Sequence, residues 1–381
     1  MKSLPPRLRL LLILPAVAAL VCGVLSGLAR LGMPMPMTIT PLIGVHGVLM
    51  IGGFFGTLVA LERAVAIGLL WPYLAPLLSG MAALAIIIGA PITLAQALFC
   101  LAAFAMSLAC VCVWHRQPAA HHALLTIAAL LWLAGNLAWV IAGSVSAAVP
   151  LWSAFFLLTI AAERLELSRL MPTPLVARVV FAIIVLVLLA GALGASAFEA
   201  GLQLFAVSLF ALSMWLLRFD IARYTIKAKG LTRYMAVCLL TGYVWLAIAA
   251  AFGMAGAFQT GAMLRDAALH ALLLGFVLSM VFGHAPIILP AVTTMQFHWH
   301  RGFYFPLLLL HLSLAVRVMA GITEWFALRQ YAAIANAVAL LLFMLMAVTG
   351  LRNRRQKPPT NAPSDVATHA RFPPHPQRQS L

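Results

Sequence analysis

The chain has 381 residues, 64% of them hydrophobic and only 8% charged, with a mean hydropathy of +1.07. That composition excludes a water-soluble globular domain, and its long apolar runs read as transmembrane helices of an all-α polytopic bundle. A formal net charge of +16 invites a nucleic-acid partner, which the positions of the charges rule out.

The first apolar segment, Leu8–Ala29, follows Lys2, Arg7 and Arg9 and could pass for a signal peptide. It has no small-residue cleavage site, and Val21 before Cys22 fits a lipoprotein signal poorly, so it reads as a retained first span. Spans two to six are expected at Pro41–Leu61, Pro72–Ala90, Thr93–Trp114, His122–Ala142 and Pro150–Leu167. Spans seven to twelve are expected at Leu175–Ala195, Ala200–Leu217, Thr232–Ala255, Arg265–Pro290, Phe303–Gly321 and Gln330–Leu351. The loops are short, so neighbouring spans are expected to be antiparallel partners. Residues 1–351 form the transmembrane domain. The basic, Pro-rich tail 352–381 cannot bury enough apolar surface to fold and is expected to be disordered.

With a cytoplasmic N-terminus, twenty of the twenty-four Lys and Arg residues fall on the cytoplasmic side; the others are Arg30, Arg265, Arg317 and Arg329. This is the positive-inside rule, and it predicts both termini in the cytoplasm. The basic balance therefore needs no nucleic acid, and the expected partner is the lipid bilayer. Five cysteines lie in or at the ends of apolar segments, without a C-x-x-C or C-x-x-C-H motif, so neither a redox dithiol nor a covalently attached haem is indicated. Cys110-Val-Cys112 near His115 would point its two thiols in different directions. His121-His122 and His298-Trp-His300 lie near water, where histidine costs little.

Two phrases repeat. Leu58-Val-Ala-Leu-Glu-Arg-Ala64 ends span two, and Thr159-Ile-Ala-Ala-Glu-Arg-Leu165 ends span six. His46-Gly-Val-Leu-Met-Ile-Gly-Gly-Phe54 in span two is echoed by His270-Ala-Leu-Leu-Leu-Gly-Phe276 in span ten. Spans two, six and ten would then be equivalent helices of three four-helix units. Repeats of this kind are common in membrane bundles that hold a site between them.

Intramembrane histidines are functional-site candidates, because an unpartnered imidazole is costly in hydrocarbon. His46 lies five residues after Pro41 and His270 five after Arg265, on spans that run the same way, so their depths match. Two such imidazoles on facing helices are what a b-type haem iron takes. Gly44, Gly47, Gly52, Gly53, Gly56 and Gly275 would make room for the macrocycle. Alternatively, each histidine only packs against a neighbour. His284 lies fourteen residues beyond His270 on the same helix face, about 21 Å along the axis. It cannot share one iron with His270. His311 in span eleven is its expected partner, in a second metal site, a proton relay or a packing contact. Glu62-Arg63 and Glu163-Arg164 are expected to pair crosswise, Glu62 with Arg164 and Glu163 with Arg63, since adjacent residues on a helix do not face each other.

At these residues the chain resembles the NnrS family, twelve-span bacterial membrane proteins regarded as containing haem and copper and linked to nitric oxide metabolism. His46, Met50, Gly52 and Phe54 match that family's first histidine motif, and His270 with Gly283-His284 echoes its late helix. The resemblance implies an inner-membrane protein that binds haem b through His46 and His270, with copper as a further candidate. His284 and His311 would be added ligands, with a redox partner, in nitric oxide or redox stress. More distantly the plan is similar to subunit I of the haem–copper oxidases, where histidines of spans two and ten hold the low-spin haem. The departures are specific. Val48 and Leu49 stand where the family has His-Glu, and Ala285-Pro286 follows His284 where it continues Thr-Gly-Arg. Spans six and seven hold no histidine, which argues against a binuclear oxygen-reducing centre. A secondary transporter suits twelve spans with repeats, although Glu62, Glu163 and Glu166 sit at span ends and supply no midplane carboxylate. An accessory or assembly subunit, in which the histidines only pack, is the third reading.

Overall fold

The computed structural model describes residues 3–167 and 173–352. Its apolar helices are α1 (Pro6–Arg30), α2 (Thr40–Ile67), α3 (Trp71–Ile87), α4 (Ile92–Arg116), α5 (Ala120–Ala142) and α6 (Val145–Leu167). They continue as α7 (Leu175–Gly194), α8 (Ala200–Phe219), α9 (Gly230–Met254), α10 (Arg265–Thr293), α11 (Arg301–Ile322) and α12 (Phe326–Gly350). All but the shorter α3 are long and apolar enough to cross a membrane. Among the described residues the sheet is one antiparallel pair, β1 (Gln296–Phe297) with β2 (Leu351–Arg352). The expected all-α polytopic bundle is therefore what the chain forms. The basic tail lies, apart from Arg352, outside the described residues.

Local chemistry sets the helix limits. Pro5 and Pro6 open α1, Pro91 opens α4 and Pro174 opens α7, where a missing N–H costs nothing. Gly68 (φ 75) and Gly143 (φ 62) end α2 and α5 in the left-handed conformation that glycine adopts without strain. Arg9 donates to the Ala291 carbonyl at 3.3 Å, and β1, after α10, pairs with β2, after α12. The start of α1 and the ends of α10 and α12 thus share one end, called proximal here. At the opposite, distal end, Gln330 at the start of α12 donates to the Leu31 carbonyl at 2.7 Å.

Consecutive helices pack side by side, and α12 returns to α1, so the chain closes into a ring. Spans two, six and ten fill its middle: α2 and α10 meet in their proximal halves, and α6 touches both. α6 shows this best, since every residue from Pro150 to Ala162 is buried. A helix that is apolar all round has no lipid-facing stripe to spare and belongs inside a bundle.

Two central helices leave α-geometry at matching places. Leu49–Gly56 of α2 and Ala271–Leu278 of α10 are each eight residues of π-helix. A π segment frees backbone groups that hydrocarbon cannot satisfy. In α2 the Gly52 carbonyl accepts the Ser79 hydroxyl of α3 at 2.9 Å, and Ser79 accepts from Thr57 at 3.1 Å. Superimposing the π segments aligns Gly53-Phe54 with Gly275-Phe276, and Ala154-Phe155 of α6 supplies the third copy. Eight residues beyond these phenylalanines stand Glu62, Glu163 and His284.

Candidate functional site at two ends of the bundle

This register corrects the reading of His46 and His270 as equivalent positions. His270 aligns with Val48, two residues past His46, and two residues are about 200° of helix rotation. The repeat therefore does not superimpose the two imidazoles, although His270 lies within electrostatic range of His46. His46 turns toward α1, where Nδ1 donates to the Gly23 carbonyl at 2.6 Å and the ring lies over Gly27, whose absent Cβ would sit 2.7 Å from Cε1. Gly23 and Gly27 make the small-x-x-x-small stripe that lets helices approach closely. His270 turns back along its own helix, with Nδ1 2.8 Å from the Asp266 carbonyl and 3.2 Å from Asp266 Oδ1. Asp266 is clamped by Arg317 of α11, Nε to Oδ2 at 2.9 Å and Nη2 to Oδ1 at 2.8 Å. His270, Arg317 and Arg30 all lie within electrostatic range of His46, so these groups make one distal cluster.

Hydrogen bonding sorts the four intramembrane histidines by which ring nitrogen keeps a free lone pair. A carbonyl can only accept, so His46 and His270 carry the proton on Nδ1 and, when neutral, present Nε2 as a lone pair. A metal-binding imidazole is held in this way, its other N–H fixed on a carbonyl or carboxylate. His284 is different: Nδ1 donates to the Met280 carbonyl at 2.6 Å, and Nε2 accepts from Arg164 Nη2 at 2.7 Å. His311 Nδ1 accepts from the Trp245 indole at 3.0 Å, which leaves the proton on a buried, unpartnered Nε2. The expected His284–His311 pair is not formed, because arginine and tryptophan, which can only donate, have taken both lone pairs. As placed, His284 and His311 have no electron pair to offer a metal.

The glycines expected to make room for a macrocycle divide the same way. Phe99 fills the space at Gly52, Ala19 and Ala83 that at Gly53, Trp132 that at Gly56 and Trp245 that at Gly275. Only Gly44, with nothing within 4 Å, and Gly47, with Val145 at 4.0 Å, leave space, and both flank His46. Among the described residues no three His, Cys, Asp or Glu side chains converge as a metal-binding group.

At the proximal end the three register positions meet. Arg63 Nη2 bridges Glu62 Oε1 at 2.7 Å and Glu163 Oε1 at 3.1 Å, and Glu163 Oε2 lies 3.9 Å from His284 Nε2. The crosswise Glu163–Arg63 pair forms as expected. Glu62 instead pairs with its own neighbour, since the long arginine side chain reaches back, and Arg164 goes to His284. Arg164 is 6% exposed and has no carboxylate within 4 Å among the described residues. Within its electrostatic range is Asp220, in the turn after α8, which is buried and whose Oδ1 accepts from the Ala222 amide at 2.6 Å. Burial pushes the Asp220 carboxyl above the ordinary carboxylate range, against the pull of the Arg164 guanidinium.

Asp266 was not singled out in the sequence, Arg317 figured there only in the charge partition, and Arg164 was expected with Glu62 rather than His284. Asp266 carried a signal, being an acid one turn before a membrane histidine. Residues 9–352 match the model of a family described as a domain of unknown function, DUF8744. The chain belongs to the DUF8744 family. A comparison with curated proteins finds no match. For this DUF8744 protein, function has to be argued from the two charged ends themselves.

Proposed function

We propose that this DUF8744 protein binds b-type haem at its distal end through His46 and His270, and acts by electron transfer or gas-ligand binding. The NnrS resemblance points the role toward nitric oxide or redox stress. The observation that carries the reading is that both imidazoles have Nδ1–H tied to carbonyl oxygen, while Nε2 has no hydrogen-bond partner among the described residues. Asp266, itself held by Arg317, would raise the basicity of His270 and fix its ring, while the Gly23 carbonyl does the same for His46. Arg30 supplies positive charge near His46 for an anionic rim of the bound group. Haem, when bound, would supply a one-electron couple or a site for a diatomic ligand. Copper is the alternative occupant, since neutral imidazole suits it equally.

The test is the optical spectrum of the purified protein, oxidised and then reduced with dithionite, alongside metal analysis. Bis-imidazole iron gives sharp visible bands on reduction, and His46→Ala and His270→Ala should each abolish or convert them. His284→Ala should leave them alone. Protein from haem-replete cells with neither a Soret band nor bound copper would remove this reading. We further infer a bacterial inner-membrane location with the proximal end in the cytoplasm, from the partition of basic residues. Reporter fusions after Ala29, Gly143 and Leu351 should read outside, outside and inside, and an inverted pattern would refute it.

A further inference from the structure

We propose a second site: a pocket for a small organic carboxylate at the distal end, between α6, α8 and α10. A cavity of about 260 Å³ lies there, far larger than the ~10–15 Å³ needed for one water. Its walls are of two kinds. Leu202, Phe205, Phe258, Leu269 and Leu272 form an apolar side, while Ser144, Ser146, Ser153, Ser196, Thr260 and Arg265 form a polar one. A shallower depression shares Ser196, Leu202 and Thr260 with it and gives it a mouth at the distal end.

Two polar groups in this wall have needs that no described residue meets. Ser153 is 1% exposed, and its hydroxyl has no hydrogen-bond partner. Thr159, one and a half turns further along α6, bonds back to the Phe155 carbonyl, but Ser153 makes no such bond and lines the cavity instead. A buried hydroxyl without a partner is rare in folded proteins and asks for an explanation. The second group is Arg265. One of its guanidinium nitrogens donates to the Phe258 carbonyl, and no carboxylate lies within 4 Å of it among the described residues. Arg317, on the neighbouring α11, has Asp266; Arg265, the residue before Asp266, has nothing equivalent among the described residues. Arg30 adds to the positive potential around it.

A cationic fork and a buried hydroxyl facing an apolar wall select a ligand with one anionic head and a compact hydrocarbon body. Guanidinium matches the planar carboxylate, the serine hydroxyl can donate to the same oxygen, and the leucines and phenylalanines cover the body. A bare inorganic anion would leave the apolar wall unused, and a neutral solute would leave Arg265 uncompensated. The source is either a soluble short acid entering by the mouth or a fatty acid from the bilayer. This site uses neither His46 nor His270 and does not depend on bound iron.

The experiment uses the full-length protein in detergent, with benzoate and hexanoate as probes and benzyl alcohol and hexanol as uncharged counterparts. Binding is followed by calorimetry and by the thermal unfolding midpoint. The acids should bind saturably and raise the midpoint, whereas the alcohols should not. Arg265→Gln should weaken binding by about tenfold or more, and Ser153→Ala should weaken it several-fold while the unliganded protein is no less stable. Should Arg265→Gln fail to fold, Ser196→Trp, at the surface turn, should fill the mouth and abolish binding in a folded protein. Oleate in lipid nanodiscs separates the sources: competition by oleate alone keeps the carboxylate chemistry and assigns a bilayer ligand. Equal binding of acid and alcohol, or unchanged binding in the arginine variant, would overturn the proposal.

Discussion

Replacing Asp266 tests whether the distal cluster is an organised unit or a set of independent contacts. Its carboxylate takes two guanidinium bonds of 2.8 and 2.9 Å from Arg317 and lies 3.2 Å from His270 Nδ1. The Arg317 side chain is 8% exposed and that of Asp266 is 27% exposed. Asp266→Ala strands a buried guanidinium, a loss that runs to about 3–5 kcal/mol for fully buried pairs. The partial exposure of Asp266 places the expected cost at the lower end, about 3 kcal/mol. Arg317→Leu leaves the carboxylate alone and should cost a similar amount. The double variant strands neither charge, so it should lose no more than about 3 kcal/mol rather than about 6, a coupling of about 3 kcal/mol or more. Reversible unfolding in mixed micelles measures all three. Additive losses would mean that the two side chains do not share an interaction, and the cluster would lose its centre. The same variants carry a second readout. Losing Asp266 removes one of two acceptors from His270 Nδ1, so any chromophore held there should change its spectrum even where the fold survives.

Three further outcomes follow from the geometry. His284→Ala removes the acceptor of a buried arginine and should cost about 1–3 kcal/mol in the same unfolding assay, with no change in a distal spectrum. Gly27→Ala drives a Cβ into the His46 ring and should destabilise by about 1–3 kcal/mol and break the Gly23 bond, whereas Gly44→Ala, in open space, should be close to neutral. Asp220 has a raised carboxyl, so its contribution to stability is fully present in acid and is lost as pH rises through the folded value. Asp220→Asn, which can keep the Ala222 amide bond, should flatten that decline above the ordinary carboxylate pKa of about 4 and be the more stable protein at neutral pH; a variant tracking the parent at every pH would refute this.

The spans were legible because their signal is composition over some twenty residues, and no tertiary contact can override it. The site was legible only in one dimension. Counting from Pro41 and Arg265 put His46 and His270 at one depth, but depth says nothing about rotation, and an offset of two residues means that the repeat does not superimpose the two imidazoles. The anchor for rotation was the Gly-Phe step, which also would have aligned Glu62, Glu163 and His284. Partners were less legible still. Glu62 and Arg164 differ from the crosswise expectation because one arginine nitrogen serves two carboxylates, a choice made by side-chain reach. Likewise, six glycines announce close approach, but only the fold tells that Phe99, Trp132 and Trp245 had already taken the space at three of them.

The placement of charge constrains what the molecule can do. Distal charges gather around Asp266 and proximal ones around Glu163, and the two histidines of α10 that mark these levels are fourteen residues apart, about 21 Å. Between them lie Phe54, Phe155 and Phe276 on the three central helices, all buried, with Phe55 against Phe156 at 5.3 Å between ring centres. An ion or proton crossing this layer would need polar groups or water, and the aromatic residues supply neither. In this conformation, then, the three phenylalanines fill the middle of the central helices between the two charged ends. The proximal network would steady the junction of α2, α6 and α10. A transporter built on the same helices would have to open the phenylalanine layer. The π segments beside Phe54 and Phe276 are where the backbone is best prepared to do so, since a shift of one hydrogen-bond register there turns the rings without unfolding the helix.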